Sequence, residues 1–233
     1  MTEEDVVLEI GPGRGFLTTF LAQKARLVHA VELDPDVLPA LRLALGDHDN
    51  VRIHEGDALR FDYGALDPLP NRLVANLPYN VASPLVLKLL EEADYLDPLR
   101  FMVQLEVARR MAAERGTKDY AAYAVLVGLL ARASIAHKVS PNVFDPPPRV
   151  YSAVVDMERR KPGLEPAEYR GVKELVIAAF RSRRKRLVNN LPEPARGEAP
   201  RLLNSLGYGP DARAEELTPE DFVALYRVVS WAF

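Results

Sequence analysis

The sequence contains no cysteine, which excludes a disulfide framework, a thiolate zinc centre and a cysteine nucleophile together. Its histidines, His29, His48, His54 and His137, stand at no metal-ligand spacing, so no metal is expected. A long apolar run is also missing. The longest uncharged one, Tyr120–Ala131, has 12 residues, where a membrane span wants about 20, and it reads as a buried helix. The amino terminus, MTEEDVVLEI, is acidic and runs directly into a strand. No signal peptide and no membrane partner are therefore expected, and the expected location is the cytoplasm.

What is present suits a globular protein. The chain has 233 residues, 48% hydrophobic and 27% charged, enough for one large domain with a small appendage. A net charge of −3 argues against a general polyanion binder, yet the charge is uneven. Between Lys173 and Arg186 six basic residues accompany one acid, Glu174, so that window carries +5 and the remainder −8. A local basic face on an acidic protein can hold one anionic partner.

Through residues 1–160 short β-rich runs alternate with helical patterns, which predicts an α/β domain with a mostly parallel sheet. Strands are expected at Val6–Ile10, Leu27–Leu33, Val51–His54, Arg72–Ala75 and Phe101–Leu105. Helices are expected over Phe16–Lys24, Val37–Leu45, a stretch capped by Ser83 with Pro84 at its first position, Glu106–Glu114 and Tyr120–Ala131. Ile135–Val139 and Ser152–Met157, joined without a crossover helix, predict an antiparallel pair at the sheet's end. Lys161-Pro162-Gly163 marks a boundary, beyond which residues 161–233 read as a small helical domain. Its helices are expected over Val172–Asn189, around Pro200–Leu206 and over Pro219–Trp231, the last with Thr218, Pro219 and Asp221 forming a near capping box.

Three features fall at the ends of consecutive strands. Glu9-Ile10-Gly11-Pro12-Gly13-Arg14-Gly15 joins the first strand to the first helix, and its glycines allow a tight turn with close ligand approach. Phe16 stands where a dinucleotide fingerprint needs its third glycine, which disfavours hydride transfer. Glu32 closes the second strand, from which it could accept ribose hydroxyls. Asp57 closes the third, positioned for an adenine amine, with the Ala58 N–H for a ring nitrogen. Singly, these are also what a tight turn and two surface caps would provide. Together they point to one nucleoside-type cofactor, and the loop resembles that of class I methyltransferases using S-adenosylmethionine.

The chemical centre is Asn76-Leu77-Pro78-Tyr79, at the end of the fourth strand. An exocyclic amine on a base is a poor nucleophile because its lone pair is delocalised into the ring. The Asn76 side-chain oxygen and the Leu77 carbonyl can accept the amine's hydrogens and localise that pair. Pro78 restrains Leu77 towards an extended conformation, and Tyr79 can stack on an extruded base. Phe144, in the proline-stiffened loop Phe144-Asp145-Pro146-Pro147-Pro148-Arg149, is the expected second face of an aromatic clamp. Arg149 is a candidate RNA-phosphate contact. So are Arg181, Arg183, Arg184, Lys185 and Arg186, with Arg183, Arg184 and Arg186 spread over the outer turns of a helix whose Ile177, Phe180, Leu187 and Val188 turn inward.

The combination EIGPGRG, VELD, EGDAL, NLPYN, FDPPPRVYSAV and FRSRRKRLVNNL resembles the KsgA family of ribosomal RNA adenine dimethyltransferases, from about Val6 to the carboxyl terminus. That resemblance implies a Rossmann-like class I fold and S-adenosylmethionine as cofactor. It implies dimethylation of two adjacent adenines in the 3′-terminal hairpin of small-subunit rRNA, within an immature ribosomal subunit, by a monomer. By motif position, Glu9, Gly11, Gly13, Glu32, Asp57, Ala58 and Asn76 are the implied cofactor residues. Asn76, Leu77, Pro78, Tyr79 and Phe144 surround the target. Members usually carry a longer segment, with a Gln-Asn-containing motif, ahead of the first strand. This sequence opens at Met1, five residues before it. The weighed alternatives are a catalytically impaired RNA-binding assembly factor and a methyltransferase for another rRNA adenine.

Overall fold

A computed structural model describes residues 1–161, 163–193 and 195–230. It divides into two compact units, Met1–Ala108 with Ala133–Arg159, and Arg109–Arg132 with Arg160–Phe233.

The first unit is built on one sheet. The strands are β1 (Val6–Ile10), β2 (Leu27–Glu32), β3 (Val51–Glu55), β4 (Arg72–Asn76), β5 (Leu99–Gln104), β6 (Ala131–Val139) and β7 (Ser152–Arg159). They lie in the order β3-β2-β1-β4-β5-β7-β6. β3 through β5 are parallel, and β7 runs antiparallel to β5, with Phe101 opposite Val155. Every residue of β1 and β2 is buried, Glu9, His29 and Glu32 included. Helices α1 (Phe16–Ala22), α2 (Leu38–Leu45) and α3 (Ala82–Glu92) return the chain between strands. β1 and β4 are neighbours although the chain leaves β1 towards β2 on the opposite side. The carboxyl ends of β1 and β4 at such a reversal are the usual ligand position in sheets of this kind.

Ser83 does not cap α3. The helix starts two residues earlier than expected, at Ala82, with Val81 in the cap position, which puts Ser83 inside its first turn. The other end of α3 is closed by Arg159, whose guanidinium donates to the Leu89, Leu90, Ala93 and Leu96 carbonyls. A histidine pair joins β2 to β3, buried His29 placing Nδ1 3.0 Å from Nε2 of half-buried His54 and Nε2 2.9 Å from the Pro68 carbonyl oxygen. Burial, the largest cause, holds both imidazoles below their usual pKa.

The second unit is helical. After α4 (Leu105–Met111), which enters it, come α5 (Ala122–Leu130), α6 (Pro166–Ala179), α7 (Leu187–Asn190), α8 (Ala195–Ser205) and α9 (Pro219–Val229). The boundary expected near residue 160 is therefore not the only one. Apolar α5 packs with α6 and α9, so residues 109–132 join the carboxyl-terminal helices. Tyr120, just ahead of α5, donates its hydroxyl to the Leu217 carbonyl and sends its ring against Phe180, which meets Phe222. The capping box forms as expected: Thr218 Oγ accepts from the Asp221 N–H, and Asp221 Oδ2 accepts from the Thr218 N–H. Pro162 of the expected boundary and Trp231 of the expected last helix lie outside the described residues.

The long basic helix expected over Val172–Asn189 does not exist. α6 ends at Ala179, residues 181–185 form turns and bends, and α7 restarts at Leu187. Two causes are visible. Asn190 donates from Nδ2 to the Ala179 and Ser182 carbonyls, giving them the partners a continuing helix would have supplied. Like charges three and four residues apart would also repel along a helix. Ile177, expected to turn inward, is 54% exposed.

Candidate active site

The glycine loop is wired to the neighbouring strands through its backbone. The Gly11 N–H donates to the Val31 carbonyl at 2.9 Å, and the Gly13 N–H to Glu32 Oε2 at 2.9 Å. Glu32 Oε1 also accepts the Leu33 and Asp34 N–H groups, at 2.9 and 3.0 Å. Three of a carboxylate's roughly four lone-pair directions are thus used by backbone. The expectation that Glu32 accepts both ribose hydroxyls meets this geometry: one direction remains. The Glu32 carbonyl takes the Gly56 N–H at 2.8 Å, tying in the end of β3.

Two glycines require their identity. Gly11 has φ +70°, and a methyl group there would lie 3.0 Å from Pro78 Cγ and 3.8 Å from the Asn76 carbonyl oxygen. Gly15, at φ +84°, would place one 2.8 Å from Leu41 Cδ1 of α2. The first relation brings the glycine turn and the Asn76-Leu77-Pro78 turn into direct contact, across β1 and β4.

Glu9 sits beneath this loop, 1% exposed. Its Oε2 and the Thr18 Oγ are both buried, and neither has a hydrogen-bond partner among the described residues. Burial pushes the Glu9 carboxyl up to about 7; the nearby Thr18 hydroxyl opposes this and the Glu32 carboxylate adds to it. Asp57 is more open, its side chain 40% exposed, with Oδ1 accepting the Leu59 N–H and Oδ2 3.8 Å from Arg60 Nε. Ala58 follows it and accepts the Tyr63 hydroxyl at its carbonyl.

At the end of β4, Asn76 is exposed and Leu77 is 2% exposed, its N–H donating to the Met102 carbonyl of β5. The buried Leu77 side chain anchors the turn while the polar Asn76 side chain meets solvent. Tyr79 is half-buried and its hydroxyl lies 2.6 Å from Ser152 Oγ, at the start of β7. That bond was not expected from sequence: 73 residues separate the partners, and only the β5–β7 register aligns them. Phe144 is half-buried with its N–H on the Pro141 carbonyl, and its ring makes no contact with Tyr79 among the described residues. Arg149 is exposed. Among the described residues no group of three or more potential ligands could hold a metal, and no helix is long and apolar enough to cross a membrane.

In the second unit the basic residues separate by role. Arg183 donates to Glu215 Oε2 at 2.5 Å and to the Thr117 and Lys118 carbonyls, and Arg186 Nε lies 2.6 Å from Asp211 Oδ1. These two brace the turn. Among the described residues Arg181, Arg184 and Lys185 have no side-chain partner and are exposed.

The family model for ribosomal RNA adenine dimethylase matches residues 1–230. A ribosomal RNA small subunit methyltransferase A from Rubrobacter xylanophilus is 72% identical over 230 residues, covering 99% of this chain and 87% of the relative. Its counterpart in Neisseria gonorrhoeae is 40% identical over 223 residues, covering 95% and 84%. Among solved structures, a dimethyladenosine transferase from Plasmodium falciparum superposes with TM-score 0.80 at 23% identity, covering 100% of this chain and 92% of that one. The 23S rRNA methyltransferase ErmE superposes with TM-score 0.75 at 28% identity, covering 99% and 93%.

Proposed function

Because the chain belongs to the ribosomal RNA adenine dimethylase family, we propose that it methylates the N6 amines of two adjacent adenines in the 3′-terminal hairpin of small-subunit rRNA. S-adenosylmethionine is the methyl donor, and the protein acts as a cytoplasmic monomer on an immature ribosomal subunit. The choice of small-subunit RNA follows the 72% identical relative over the 28% identical large-subunit enzyme. The observation that carries the reading is the contact of the glycine turn with the Asn76-Leu77-Pro78 turn. It sets a cofactor-type loop beside the group offered to the substrate amine.

The strand ends fit this cofactor. Gly11 and Gly13 line its methionine side above Glu9, Glu32 retains one lone-pair direction for a ribose hydroxyl, and Asp57 with the Ala58 N–H addresses adenine. When bound, S-adenosylmethionine supplies a methyl group activated by its sulfonium charge.

The chain's own residues position and polarise. The Asn76 side-chain oxygen and the Leu77 carbonyl accept the amine's hydrogens and aim its lone pair, and Pro78 keeps Leu77 extended. Tyr79 stacks the extruded base with its hydroxyl held by Ser152, and Phe144 closes the other face. No strong base is required, because the amine acidifies as it is alkylated; orientation carries the rate. Arg149, Arg181, Arg184 and Lys185 contact rRNA phosphates, with Arg183 and Arg186 as supports.

Tritiated methyl transfer to methyl-free small subunits tests this. Asn76→Ala should lower transfer at least about a hundredfold with subunit binding retained. Unchanged turnover removes Asn76 from the mechanism. Binding without any incorporation by the unaltered chain points instead to an assembly factor without turnover, and label in large-subunit rRNA points to a different adenine.

A further inference from the structure

The break between α6 and α7 leaves a groove of about 1150 Å³ inside the second unit. It is larger than the roughly 300–1,000 Å³ of small-ligand sites, and its lining has three parts. Arg181, Lys185 and Arg196 supply positive charge against the single acid Glu174, a local +2 on a chain whose net charge is −3. Ile177 and Pro192 give an apolar strip, with Ile177 54% exposed. Asn189, exposed, offers an amide that both donates and accepts.

The groove is preformed. Asn190 pins the turn through the Ala179 and Ser182 carbonyls, at 2.7 and 3.0 Å. Arg196 Nε donates to the Leu191 carbonyl at 3.0 Å, which fixes the guanidinium. Its two terminal amino groups have no partner among the described residues.

Cations alone would suit any RNA backbone. An apolar strip and an amide in the same groove suit a base that has left its helix, since a paired base shows neither its face nor its inner edge. We propose that this groove seats an unpaired nucleotide of the RNA substrate, its base on Ile177 and Pro192 and its flanking phosphates on Arg181, Lys185 and Arg196. The inference rests on the RNA-substrate reading above and adds a second recognition point, outside the residues assigned to methyl transfer.

The test is fluorescence anisotropy of the complete chain with a short labelled single-stranded RNA and with the same strand closed in a duplex, over a salt series. Ile177→Ser should weaken single-strand binding several-fold, leave duplex binding unchanged and leave the salt slope unchanged, because no phosphate contact is lost. Arg181→Ala with Lys185→Ala and Arg196→Ala should weaken it about tenfold or more and flatten the salt slope by about 2. Arg201→Ala, an exposed cation outside the groove, should match the unaltered chain.

Equal losses for single strand and duplex in Ile177→Ser overturn the proposal, as does a triple variant no weaker than Arg201→Ala. The latter result leaves the groove to a partner such as an acidic peptide. If these variants match the unaltered chain while it still binds RNA and methylates subunits, only the groove proposal fails. If the unaltered chain does neither, the functional reading fails first.

Discussion

The glycine turn of the first unit and the arginine-rich turn of the second are held in opposite ways. In the first, buried anion organises backbone donors: Glu32 gathers the N–H groups of Gly13, Leu33 and Asp34, with Glu9 sealed underneath. In the second, side-chain donors organise backbone acceptors: Asn190 and Arg183 together take the carbonyls of Ala179, Ser182, Thr117 and Lys118. The first arrangement draws charge into the protein and makes the loop one rigid object. The second keeps charge at the surface, where water and salt moderate it, and leaves Arg181, Arg184 and Lys185 exposed.

This contrast ranks four substitutions. Glu32→Ala removes one charged acceptor from three backbone donors and should cost about 4 kcal/mol, measured by urea unfolding. A cost below that of Arg183→Ala would reverse the ranking and end the contrast.

Glu9→Gln sharpens it through pH. The Glu9 carboxyl is pushed up to about 7, against 4.5 for an unburied group, so the folded state holds its proton more tightly than the unfolded chain. Below pH 4.5 both states are protonated and nothing is lost. Stability contributed at this site then falls as pH rises from 4.5 to about 7, and stays lower above it, by roughly 3 kcal/mol. Glu9→Gln should remove that slope and be the more stable chain at pH 8, seen by comparing unfolding curves across pH. Parallel curves would show that Glu9 keeps an ordinary carboxylate pKa.

Smaller effects belong to the second turn. Arg183→Ala loses an ion pair and two carbonyl contacts and should cost about 1 kcal/mol. Arg186→Ala, whose pair with Asp211 is 58% and 72% exposed, should cost less than about 0.5 kcal/mol. Thermal midpoints that reverse this pair would mean that Arg183 is not the brace.

The parts of the fold legible in sequence are those decided locally. β1 begins and ends where its apolar run does, and Thr218 with Asp221 announces α9 within four residues. Gly11 and Glu32 fall at strand ends for the same reason, since a buried run followed by glycine or ending in an acid marks where β1 and β2 stop. Decisions taken at a distance were not legible. α6 stops without glycine or proline because an amide eleven residues beyond Ala179 collects its carbonyl. The His29–His54 pair requires the β2–β3 register, and the Tyr79–Ser152 bond requires β5 to lie against β7. Helix α5 looked like part of the first domain because sequence order placed it there, whereas its apolar surface found α6 and α9.

That last assignment has a consequence for how the protein is made. A ribosome synthesising this chain releases α5 long before α6 and α9 exist, and releases it ahead of β7, on which the edge of the sheet depends. The sheet is complete once residue 159 is made, whereas the second unit waits for polypeptide that lies beyond it. A shortened chain stopping at residue 160 would therefore carry the sheet intact but leave AYAVLVGLL without a cover, an adhesive segment that a chaperone would have to hold.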